Sequence, residues 1–114
     1  MRLSGYRHGR IEVGGAVQRH DLIVLPDRVI RDWWRDRGHY VKATDLEAVL
    51  AAPPQVLVVG TGSMGMMTVD PDLAAALSAR GIALEALPTA AAVERFNELE
   101  AGGVAVAAAL HLTC

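Results

Sequence analysis

A single cysteine, Cys114, stands in 114 residues. That excludes an internal disulfide and any zinc site built from several cysteines, and it suits a reducing compartment. Lysine is almost as scarce: Lys42 is the only one, and the rest of the basic side is arginine. The front half is mildly basic and the back half mildly acidic, for a net charge of −2. Neither excess is large enough to imply nucleic acid or an anionic membrane surface as partner. No uninterrupted apolar run reaches the roughly 20 residues of a membrane-spanning helix, and no basic-then-apolar leader opens the chain. These features lead us to expect a cytoplasmic protein with no membrane insertion.

What the chain has is apolar content, 52% of its residues. That is enough for one domain over 1–114 with its own core. Two styles divide it. Residues 1–42 read as short strands and turns: Ile11-Glu12-Val13 alternates, Gly14-Gly15 marks a turn, and Asp21 to Leu25 is a compact apolar run stopped by Pro26. Val29 to Trp34 favours a strand by its β-branched and aromatic content. From Thr44 onward helix and strand alternate. Thr44 or Asp45 caps a short helix that buries Leu46, Val49 and Leu50, and Pro53-Pro54 ends it. Val56 to Val59 is a continuous apolar run, as in a strand covered on both faces. Asp70-Pro71 predicts the cap and first turn of a helix carrying Leu73 and Leu77 inward and ending at Gly81. Ile82 to Leu87 is the next strand. Thr89 caps a second helix with Val93, Phe96 and Leu99 inward, and Val104 to Leu110 is the last strand. Strand, helix, strand, helix, strand predicts a parallel βαβαβ core covered by helices on both faces. The N-terminal strands extend or flank it in antiparallel fashion. The expected fold class is α/β, a three-layer α/β/α domain on a mixed sheet.

Gly60-Thr61-Gly62-Ser63-Met64-Gly65 matches the dinucleotide-binding spacing G-x-G-x-x-G, and Glu85 follows at about the distance of a ribose-binding acid. The mechanism behind that motif is not met. A phosphate site needs the helix to open inside the glycine triplet, so that its first amides face the anion. The helix signal here comes five residues after Gly65, and Glu85 lies within its strand. No lysine follows the glycines, which excludes a Walker loop. No nucleotide cofactor is therefore expected. Other readings stay open. The glycines form turns and Met64, Met66 and Met67 fold back on the core, or the methionines offer an adaptable surface to a partner. The third alternative is a small-molecule or anion pocket at these strand ends, with Thr61, Ser63 and Thr89 around it.

The remaining chemistry-bearing residues point nowhere specific. Cys114 and His111 are three apart, but a last residue is poorly held for nucleophilic work; a small residue packed at a strand end is the plainer expectation. His111 with His39 or His8 has no spacing that asks for a metal. No carboxylate pair is spaced for acid–base chemistry. Of Trp33 and Trp34, a strand would turn one outward, which suits an interface; the plainer expectation is that both are core and edge packing.

Several of these pieces together resemble a known family. Leu22-Ile23-Val24-Leu25-Pro26 is followed by Trp34, Gly38-His39, the "VLVVGTG" of residues 56–62, then Thr89, Ala92-Val93 and Phe96-Asn97, and finally His111-Leu112-Thr113-Cys114. This pattern resembles the small MTH-type domain of unassigned function, along nearly the whole chain. Eukaryotic members of that family include a mitochondrial complex I assembly factor and an adipogenesis-associated protein. The resemblance implies a three-layer α/β/α fold with a central mixed sheet. It also implies work by protein association rather than catalysis, and recurring polar positions at Thr61, Thr89, Asn97 and His111. It transfers no catalytic set, cofactor or metal. The expectation from sequence is a cytoplasmic, prokaryotic, non-enzymatic domain with a protein partner, monomeric or a small homo-oligomer. Its contact residues are Gly60, Thr61, Gly62, Ser63, Met64, Met66, Met67, Thr89, Asn97 and His111.

Overall fold

Glycines at the predicted turns set up the N-terminal third. In the computed structural model, which describes residues 1–114, strands β1 (Leu3–Arg7), β2 (Arg10–Val13) and β3 (Ala16–Gln18) form a three-stranded antiparallel sheet. Gly14 and Gly15, both at positive φ (55° and 86°), make the two-residue hairpin between β2 and β3, the conformation that twists with its strands. Next come β4 (Leu22–Val24), β5 (Val29–Ile30) and β6 (Tyr40–Val41). A 3-10 turn over Ala43–Leu46 leads into helix α1 (Glu47–Ala51). The second half follows as β7 (Val56–Thr61), β8 (Thr68–Val69), α2 (Leu73–Ser78), β9 (Ala83–Leu87), α3 (Thr89–Ala101) and β10 (Val106–His111).

The central sheet runs β5-β4-β10-β7-β9. Strand β10 lies parallel to β7, and β7 parallel to β9; β4 and β5 extend this parallel core in antiparallel fashion. Strands β6 and β8 form a separate parallel pair. The alternation of β10 shows how the core divides. Ala107 and Ala109 join Leu57, Val59, Leu73, Leu77 and Val49 under α1 and α2. Val106, Ala108 and Leu110 join Val58, Phe96, Val93 and the small sheet's Leu3, Ile11 and Val13. The α/β class and the mixed sheet are therefore as the sequence predicts, with β1–β3 sharing one outer layer with α3.

Three local expectations are corrected. Val29 to Trp34 is a strand only over Val29–Ile30; beyond it Asp32 adopts φ +50°, the only non-glycine residue at positive φ, and the strand cannot continue. Helix α2 begins at Leu73 rather than at Pro71: Asp70 accepts from the Leu73 amide through its main-chain carbonyl, and its carboxylate accepts from the Asp72 amide at 3.4 Å, as a cap does, but more closely from the Tyr40 hydroxyl at 3.0 Å. Thr89 is the first residue inside α3, not its cap, because its hydroxyl is drawn across to the main chain of neighbouring segments.

Candidate functional site

Three parallel strands, β7, β9 and β10, end on one edge of the central sheet, where open α/β sheets place their sites. The glycine loop leaves β7 there. Gly60 is tightly enclosed: a Cβ on it would come within 2.9 Å of Thr89 Oγ1 and 3.0 Å of Leu110 Cδ2. Thr89 knots three segments together. Its hydroxyl accepts from the Gly62 amide (2.9 Å) and donates to the His111 carbonyl (2.6 Å), and its own amide donates to the Gly62 carbonyl (3.0 Å). Thr61 Oγ1 donates to the Leu87 carbonyl at 3.1 Å, tying β7 to the end of β9.

The amides of this loop face inward, to the protein itself. Ser63 donates to the Thr113 carbonyl (2.7 Å), Gly65 to Gly62 (3.1 Å), Met66 to Cys114 (3.0 Å) and Met67 to Thr61 (2.9 Å). With Gly62 on Thr89, every amide from 62 to 67 except that of Met64 is hydrogen-bonded within the chain. A phosphate would have to displace these partners. Glu85, the candidate ribose acid, pairs with Val58 in register and grips Arg95 through both oxygens, at 2.7 and 3.1 Å. That guanidinium holds the Glu85 carboxyl below its usual range.

The predicted contact residues separate into groups. Gly60, Thr61, Gly62 and Thr89 form the knot. Met64 and Met66 project outward, 77% and 59% exposed, while Met67 turns back into the core at 3%. Ser63 Oγ lies 2.9 Å from His8 Nδ1 at the surface, and no carboxylate orients that imidazole from its other side. Asn97 lies apart from the loop: its amide accepts from the Leu3 N–H (2.9 Å) and donates to the Leu3 carbonyl (2.6 Å), clipping β1 onto α3. Cys114 is exposed rather than packed, because its carbonyl and not its side chain meets the loop.

His111 is almost wholly buried and belongs to a cluster that the sequence pattern did not bring together. Its Nδ1 is 2.8 Å from Asp21 Oδ2, and a carboxylate only accepts, so Nδ1 is the donor. Arg35 donates to the same oxygen (2.8 Å) and to the Gly38 carbonyl (2.6 Å), and the Leu112 amide donates to Asp21 Oδ1 (2.8 Å). Burial acts to raise the Asp21 pKa, but the hydrogen bonds from His111, the Leu112 amide and Arg35 outweigh it and bring it to about 2. The Arg35 guanidinium lies 4.4 Å from the Trp33 ring, and His39 meets His111 edge-on at 5.4 Å. A Ser-His-Asp arrangement would need a nucleophile on His111 Nε2, and that atom has no polar partner. No group of three metal-ligating side chains is spaced to hold an ion. The cluster works as a lock between β4, β10 and the loop after β5. Asp21 precedes its strand with no motif around it, and Arg35 is one arginine among several, so spacing alone carried no signal for either.

A cleft of about 350 Å³ opens beside the lock, lined by Arg19, His20, Asp21, Trp33, Trp34 and Thr113, among others. None of residues 60–67 lines a cleft. Trp33 is buried with its indole N–H on the Asp45 carbonyl (2.8 Å), whereas Trp34 is 74% exposed. Thr113 connects the two halves of this edge, since it borders Trp34's cleft and accepts from Ser63.

Known proteins share this architecture. A protein of Bordetella parapertussis is 32% identical, with a TM-score of 0.81 over 96% of this chain and 92% of its own. A Bordetella pertussis protein, described as a Mth938-like domain, is 29% identical (TM-score 0.79; 97% and 85% covered). A Bartonella henselae protein described as an outer membrane protein is 26% identical (TM-score 0.84; 98% and 94% covered). In the present chain no helix is long and apolar enough to cross a membrane. The model of a protein family of unknown function, DUF498/DUF598, matches residues 3–111. With that match over nearly its whole length, and with the Mth938-like fold around it, the chain belongs to the DUF498/DUF598 family.

Proposed function

We propose that the protein is a non-enzymatic interaction module that docks a protein partner on the edge formed by the glycine loop and Trp34. The observation that carries this reading is the loop itself. Its backbone is hydrogen-bonded into the fold, yet Met64 and Met66 are held outside it. Soft, unbranched side chains on a fixed backbone suit a surface that adapts to a partner. The ligand-pocket alternative at Gly60–Gly65 finds less support, because those amides already serve the chain's own carbonyls. This reading keeps the protein cytoplasmic, as a monomer or small homo-oligomer.

The test is a pull-down from an extract of the source organism with native protein and a Met64→Ser/Met66→Ser variant. Met67 stays unchanged because it is core. The native protein retains a defined partner and the variant loses it, with both melting at the same temperature. Equal recovery by both would remove the loop from the interface. A thermal-shift screen with nucleotides, phosphates and organic acids at millimolar concentration checks the alternative, since a ligand of the folded state must raise the melting point.

A further inference from the structure

Trp34 borders two clefts, and the second, of about 320 Å³, lies between it and α1. Its apolar lining comes from Ile23, Ile30, Ala48 and Trp33 beside Trp34 itself; its charged lining is entirely acidic, from Asp36, Asp45 and Glu47. Asp36 and Asp45 share a single cation, Lys42, at 2.8 and 4.0 Å, and Glu47 takes part in no ion pair. The pocket thus pairs an exposed indole with uncompensated negative charge.

The chain also fixes the backbone that carries that indole. Trp33, before it, is tied by its amide to the Asp21 carbonyl (2.8 Å) and by its indole to Asp45. Arg35, after it, is buried on Asp21 and Gly38. Asp32 holds φ +50° at the entry to this segment, a left-handed bend that aspartate adopts more readily than most side chains. With both neighbours pinned, Trp34 points outward from a backbone that has little freedom left to lose on binding, which suits an anchor for a partner.

We infer that this cleft receives an arginine side chain of the partner protein, its guanidinium stacked on Trp34 and paired with Glu47. A planar cation suits both walls: it stacks on an indole face and forms a fork with a carboxylate. The inference rests on the interaction reading given above and names the chemistry of the partner segment.

The experiment uses the full chain labelled with ¹⁵N and two capped tripeptides, leucine-arginine-leucine and leucine-citrulline-leucine, which differ in charge but hardly in shape. The Trp34 indole signal is identified with Trp34→Phe. The arginine peptide shifts the Trp34 indole and the Glu47 and Ala48 amides, and binds about tenfold more tightly than the citrulline peptide. Glu47→Gln weakens the arginine peptide about threefold to fivefold and leaves the citrulline peptide unchanged. Equal affinities, or no shift at Trp34 up to about 10 mM arginine peptide, would overturn the inference. If that happened while Met64 and Met66 still governed partner capture, the interaction reading would stand alone. The reverse result would leave the cation-binding pocket and remove the methionine loop.

Discussion

At the scale of single residues, the most demanding position is Gly62. Its φ is +110°, and a Cβ there would overlap the carbonyl group of Cys114 and press on that of Thr113. Gly81 also has positive φ (+74°), but a Cβ there would meet nothing. The two separate backbone strain from close approach. Gly81→Ala should cost about 1 kcal/mol, the left-handed penalty alone. Gly62→Ala adds overpacking against backbone that cannot yield and should cost about 3 kcal/mol or more. Urea unfolding of both variants measures the difference; similar losses would mean the tail after β10 gives way freely. The glycine spacing was legible in the sequence, but its purpose was not. A G-x-G-x-x-G string records where backbone must come close, and only the fold reveals that what comes close is residues 113 and 114 of the same chain.

At the scale of elements, the pattern of apolar residues placed the second half well. Strands β7, β9 and β10 and helix α3 fall where covered runs and helical spacing put them, because each is long enough for its period to be read. The failures lie where tertiary contacts override local signals. Asp70 reads as a cap but serves Tyr40 and an irregular turn, and the strand signal of Val29 to Trp34 is cut by the backbone at Asp32. Asn97 is a related case, a helical amide whose partner is 94 residues away on β1. Removing it leaves the Leu3 N–H and carbonyl, both partly buried, without their partners. Asn97→Ala should therefore cost about 2 kcal/mol. Hydrogen exchange should localise the loss: the β1 amides lose protection first, while β7 and β10 keep theirs. A uniform loss across the sheet would show that β1 is not an independent flap clipped by Asn97.

At the scale of the whole molecule, the Asp21–Arg35–His111 lock is the contact that closes the chain on itself, joining the start of β4 to the end of β10 and to the loop that carries Trp34. Its acid response has a definite sign. Asp21 has a folded pKa of about 2, against about 3.9 for an unconstrained aspartate. A depressed carboxyl contributes stability that is fully present above the unfolded value and is lost as pH falls through the folded one. The window is thus roughly pH 4 down to 2. Asp21→Asn keeps the shape but removes the charge opposite the buried Arg35, and should destabilise the protein by about 3 kcal/mol at pH 7. Unfolding free energies of both proteins, measured from pH 7 to about 2, should differ most above about pH 4. Below that the gap narrows, because the native protein loses the Asp21 charge too. Other carboxylates also titrate in that range, Glu85 among them, yet they are common to both proteins and cancel in the difference. A gap that stays constant through the acid range would mean that folding does not depress the Asp21 pKa, and would sink the charge account of the lock. The presentation of Trp34, which hangs on the same carboxylate through Arg35, would then be independent of acid down to pH 2.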